Sequence, residues 1–66
     1  MNVLVNGKSR DLPDGSTVLA LLERFDLAGE RVAVEVNGHI LDRGAFAQHA
    51  LSEGDVVEVV RFVGGG

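Results

Sequence analysis

The side chains able to do chemistry are few, and their spacing supports none of the usual reactions. His39 and His49 are the only histidines, and the chain has no cysteine. A metal site needs three or four ligands in a supporting geometry, so both histidines read as surface or partly packed residues and no metal ligand is expected. Ser9, Ser16, Thr17 and Ser52 have no histidine–carboxylate setting that would activate a hydroxyl, so no catalytic residue is expected either. The ten carboxylates are scattered through loops and exposed faces, where they act as solvating charge. Gly64, Gly65 and Gly66 are not a phosphate-binding loop, because such a loop needs a helix N-terminus behind it. What remains is the α-carboxylate of Gly66, ionised at neutral pH because such a group titrates near ~3.5. Three glycines make a thin peptide without Cβ atoms, able to thread a narrow channel and to adopt backbone angles closed to other residues. With Val63 the arm reaches roughly 13 Å when extended. The chemistry this end suits is chemistry done to it by another protein. On composition alone a frayed end or an expression remnant explains three terminal glycines better. Against that, the glycines follow an apolar strand directly, with no polar linker between.

Six further glycines (Gly7, Gly15, Gly29, Gly38, Gly44, Gly54) each fall between periodic segments and cut the chain into short elements. Asn2 to Val5 reads as a strand. Asn6-Gly7 is a two-residue hairpin signal, and Lys8 to Leu12 returns antiparallel until Pro13-Asp14-Gly15 ends it. Ser16 or Thr17 caps a helix of about ten residues whose Val18, Leu21, Leu22 and Phe25 share one face. Asp26 to Arg31 is a polar loop around Gly29. Val32 to Val36 alternates as a half-buried strand, Asn37-Gly38 repeats the hairpin signal, and His39 to Leu41 is a short return strand. Arg43 to His49 suits one or two helical turns, with Asp42 as cap. Val56 to Phe62 is the last and most apolar strand.

One helix covers only one face of a sheet, so helix and sheet must bury their apolar sides against each other. The expected fold is α+β: a mixed sheet of four to five strands with one main helix across one face. The connection through the helix forces a parallel pairing with right-handed crossover. The last strand, rich in Val, belongs in the middle beside the first, which is the β-grasp or ubiquitin-like order. Residues 1–63 are expected to form a single domain and 64–66 a flexible tail. Alternation turns Val3, Val5, Val57 and Val59 inward. It leaves Leu4, Val60 and Phe62, with Val63 beyond them, as an exposed apolar patch at the root of the tail, and such patches mark binding surfaces. Arg61 would face inward, so the strand is expected to fray there and let Arg61 snorkel out.

Sixty-six residues bound the chain to one domain with a small core. The net charge of −4 repels phosphate backbones, and the three Phe residues, without Trp or Tyr, give no base-stacking platform, so nucleic acid is not an expected partner. No run approaches the ~20 apolar residues of a membrane span. Asn2 stands where a signal peptide would be basic, and the lack of cysteine fits a reducing compartment, so a cytoplasmic location is expected.

These stretches together resemble the ThiS family, the sulfur carriers of thiamine thiazole biosynthesis. The matching residues are Val5-Asn6-Gly7, Thr17-Val18, Leu21-Leu22, Val32 to Asn37, Ile40 with Arg43, Gly54-Asp55-Val56-Val57-Glu58, and the ending Val63-Gly64-Gly65-Gly66. The family often has Val-Pro-Arg where Leu41-Asp42-Arg43 stands here, a difference confined to a local turn. The resemblance implies a carrier rather than an enzyme, with no cofactor of its own. An E1-like adenylating enzyme (ThiF-like), using ATP and Mg, would activate the Gly66 carboxylate. A cysteine persulfide would supply sulfur, giving a C-terminal thiocarboxylate. Thiazole synthase (ThiG-like) would take the arm, with Gly64 and Gly65 threading into it. Three alternatives stay open: the sulfur-carrying subunit of molybdopterin synthase, a ubiquitin-like modifier, and a noncovalent β-grasp interaction module.

Overall fold

Both Asn-Gly pairs form the turns that their sequence assigns them. Asn6 (φ 50°) and Gly7 (φ 81°) join β1 (Asn2–Val5) to β2 (Lys8–Asp11), and Asn37 (φ 52°) and Gly38 (φ 84°) join β3 (Val32–Val36) to β4 (His39–Leu41). Left-handed backbone at both central positions suits the right-handed twist of a hairpin. These two hairpins flank the final strand. In this computed structural model, which describes residues 1–62, β5 (Val56–Arg61) lies between them in the order β2-β1-β5-β3-β4. It runs parallel to β1 and antiparallel to β3. The sheet is therefore mixed and five-stranded, the β-grasp order expected from the sequence.

The helix α1 spans Val18–Arg24, seven residues rather than about ten. Its start is well provided for: the Thr17 hydroxyl accepts from the Ala20 amide at 3.1 Å. The Val18 and Leu19 amides donate to the carbonyls of His49 (3.0 Å) and Phe46 (2.9 Å). The N-terminal amides that a helix cannot satisfy internally thus find partners on the 46–51 strap. The early stop comes from Asp26, which takes φ 59° and lets the Leu27 amide reach back to the Leu22 carbonyl at 2.7 Å. This is a Schellman ending, and it tucks Leu27 against the core in a stretch whose composition reads as a polar loop.

Val18, Leu21 and Leu22 of α1 are buried against Val3, Val34 and Val57 of the sheet, all at 0–1% exposure. Full burial of one such side chain stabilises by about 1.5–3 kcal/mol, so this small interface supplies much of the stability. Phe46 and Leu51 close one end of the core. Arg43–Ala45 form a 3-10 turn after Asp42, whose side chain makes no capping bond.

Candidate functional site

The final strand leads to the glycine tail, so what fixes β5 fixes the root of any arm. Its ladder with β1 pairs only Leu4 with Val56 and Val5 with Val57. Beyond that point the side chain of Asn6 takes over. Its Oδ1 accepts from the Val59 amide at 2.8 Å and its Nδ2 donates to the Val59 carbonyl at 3.1 Å, as a further strand residue would. Asn37 grips the other side: its Oδ1 accepts from the Val56 amide at 2.9 Å while its backbone amide donates to the Val56 carbonyl at 2.7 Å. Each hairpin turn residue is therefore also a clamp on β5.

Pairing with β3 continues to the end of the strand. Val60 lies opposite Ala33 and Arg61 opposite Val32, and the Phe62 amide donates to the Arg31 carbonyl at 2.9 Å. The expected fraying at Arg61 does not occur. The side chain turns outward to Glu30, with Nε and Nη2 each 3.1 Å from Oε1. This ion pair lets the strand stay paired while the charge remains in water.

The open face of the sheet carries Leu4 (40% exposed), Val56 (42%), Val60 (57%) and Ile40 (74%), followed by Phe62 (57%) at the strand's end. Register decides how they are grouped. Leu4 sits beside Val56, whereas Val60 lies four residues further along β5, about 13 Å away at ~3.3 Å per residue. Exposed Glu58 stands between them, opposite Glu35 of β3. The apolar surface at the root of the tail is thus Val60 and Phe62, and Leu4 with Val56 makes a second apolar pair at the far end. The patch expected from the sequence omits Val56 and Ile40, although alternation around Glu58 and Glu35 is signal enough to place them on this face. Val63 and the tail residues Gly64, Gly65 and Gly66 lie outside the described residues.

His39 is exposed on β4 opposite Val36, and His49 is half-buried and uses its carbonyl to receive α1. Among the described residues, no group of three or more His, Asp or Glu side chains is placed to hold a metal ion. No helix among them is long and apolar enough to cross a membrane. The Met1 ammonium has its pKa raised by its hydrogen bond to Asp14 (3.1 Å), opposed in part by desolvation and aided by the charges of Asp14 and Asp11. That contact lies at the beginning of β1, not at the end of β5.

Comparison with known proteins gives full-length matches. The ThiS family model matches residues 3–66. The sulfur carrier protein ThiS of Escherichia coli is 32% identical over 66 residues, covering all of both chains. That of Bacillus subtilis is 36% identical over 63 residues. A thiazole synthase of Paramagnetospirillum magneticum is 39% identical over the whole of this chain, which spans only 20% of that protein's length. The crystal structure of a thiamine biosynthesis protein (ThiS) from Geobacter metallireducens superposes with a TM-score of 0.84 at 40% identity, covering all of both chains.

Proposed function

The chain belongs to the ThiS family, and from that premise we propose that it is a sulfur carrier for thiazole formation, acting through its terminal carboxylate. The observation that carries this reading is the full-length match to sulfur carriers, which includes the glycine ending. The geometry agrees with it: β5 is held on both sides and the amide that follows it, Phe62, is tied to the Arg31 carbonyl, so the body offers a firm base for the tail.

The chemistry follows from the weakness of a carboxylate as an electrophile. The Gly66 carboxylate attacks the α-phosphorus of ATP in an E1-like enzyme, and pyrophosphate leaves. The resulting acyl-adenylate has AMP as its leaving group. The terminal sulfur of a cysteine persulfide displaces AMP, forming an acyl disulfide. Thiol cleavage of its S–S bond leaves a thiocarboxylate on Gly66 and a disulfide on the donor side. ATP and Mg belong to the activating enzyme; the carrier contributes only its end. Thiazole synthase is the expected acceptor, supported by the thiazole synthases in which a segment similar to this whole chain is part of the same polypeptide. Val60 and Phe62 form the docking surface beside the arm, with Gly64 and Gly65 lying in the partner's channel.

Removal of Gly65 and Gly66 tests the reading. The shortened chain should keep its unfolding midpoint and lose sulfur transfer entirely. Retained transfer would mean that the terminus is not the carrier group.

A further inference from the structure

A groove of ≈ 360 Å³ opens on the helix side of the sheet, between β2 and the C-terminal end of α1. Its floor is apolar, built from Leu22, Phe25, Leu27 and Val59, and three cations, Lys8, Arg10 and Arg61, surround it. The concentration of charge is unusual for this chain: half of its six basic residues line one groove of a molecule with net charge −4. Register explains the convergence. Lys8 pairs with Val5 and Arg10 with inward-facing Val3, so both side chains point to the helix side of the edge strand. Arg61, opposite buried Val32, arrives from the far side.

The cations are held differently. Arg61 is neutralised by Glu30 at 3.1 Å. Arg10 lies over the Phe25 ring at 5.2 Å from its centroid, which fixes the guanidinium across the floor without cancelling its charge. Lys8 and Arg10 have no carboxylate partner within ion-pair distance among the described residues. An apolar floor beside two uncompensated cations complements one kind of surface, an acidic segment that also offers an apolar side chain. The edge position of β2, exposed along its whole length, leaves room for such a segment to lie alongside it.

We propose that this groove docks an acidic, apolar-bearing segment of the protein that receives the tail, so that the partner grips the carrier on the helix side as well as on the open face. Arg61 both lines the groove and directly precedes Phe62, which places the two surfaces on either side of the same strand end. The inference deepens the carrier reading and rests on it for the partner's identity alone.

The test needs no sulfur chemistry. The full chain, labelled with nitrogen-15, is titrated with a capped Asp-Glu-Phe-Glu-Asp pentapeptide, and separately with its uncharged Asn-Gln-Phe-Gln-Asn counterpart. The acidic peptide should give saturable amide shifts at Lys8, Arg10, Phe25 and Leu27, and the response should weaken as salt is added. In Lys8→Ala/Arg10→Ala the affinity should fall about tenfold or more, as two charge-assisted contacts are lost. If that variant proves unfolded, the salt dependence and the uncharged peptide decide the matter. A chain lacking Gly65 and Gly66 should respond like the full chain, so failure of the carrier reading would leave this result intact. Absence of saturable shifts at those amides would overturn the proposal, as would an equal response to the uncharged peptide or shifts confined to Leu4 and Val60.

Discussion

The clamp of Asn6 on β5 can be removed without touching the core. In Asn6→Gly the backbone keeps the left-handed turn at φ 50° but loses the amide that binds Val59 at 2.8 and 3.1 Å. Val59 is 9% exposed, so its amide and carbonyl are poorly placed to recruit water in exchange. Leaving a buried polar group without its partner costs about 1–3 kcal/mol, and a clamp of two bonds on one residue should fall near ~2 kcal/mol. Asn6→Ala adds the strain of a left-handed residue with a Cβ, about 1–2 kcal/mol more. A chain of 66 residues has a total stability of only roughly 3–10 kcal/mol, so these losses are large. Urea unfolding of the three proteins measures the sums. Amide hydrogen exchange locates the damage, which should appear first at Val59 and Val60 and leave Val34 comparatively protected. If Asn6→Gly unfolds within about 0.5 kcal/mol of the parent, the clamp contributes nothing and the account of how β5 is held is wrong.

Four other outcomes are expected. Leu21→Ala removes a side chain at 0% exposure and should cost about 2–5 kcal/mol, seen as loss of most of the cooperative melt in circular dichroism. Thr17→Ala deletes the cap on Ala20 and should lower stability by about 1 kcal/mol in urea unfolding, with Thr17→Ser near neutral. Val60→Asp, at a 57% exposed site, should stay within about 0.5 kcal/mol of the parent in unfolding while slowing tail activation by the adenylating enzyme about tenfold or more. The Met1 ammonium has a folded pKa above its ordinary value of 8.0, so the stability from its Asp14 contact is fully present below pH 8 and is lost as pH rises through the raised value. Unfolding at pH 7 and at pH 10 should therefore show a decrease in the parent that is smaller in Asp14→Asn.

Much of the architecture was legible because it is written in local patterns. The alternation of Val32, Val34 and Val36 and the two Asn-Gly pairs placed both hairpins correctly, and the high Val content of residues 56–60 put the last strand at the centre. What escaped depends on contacts distant in sequence. Asn6 reads as a turn former, but its grip on Val59 spans 53 residues and leaves no trace in periodicity. The parallel register that sets Leu4 beside Val56 rather than Val60 pairs the first strand with the last, and neither strand's own pattern states it. Arg61 looked like the start of fraying because the sequence does not reveal Glu30 waiting on the loop beside it. The basic groove was invisible for the same reason: its cations come from β2 and β5, and only the fold brings them to one end of α1.

The acidic balance of the chain and its basic groove make different demands on a partner. An overall charge of −4 favours encounter with basic docking surfaces, which steers association. The groove asks for acid at one defined place beside the strand end. A partner meeting both would recognise orientation as well as charge.

The most direct measurement is the intact mass of the chain isolated from the cells that make it, and again after incubation with the adenylating enzyme, ATP and a persulfide donor. The account predicts a species heavier by the difference between one sulfur and one oxygen atom, with the change confined to the C-terminal fragment holding Gly66. A chain that carries a plain carboxylate under both conditions would contradict it.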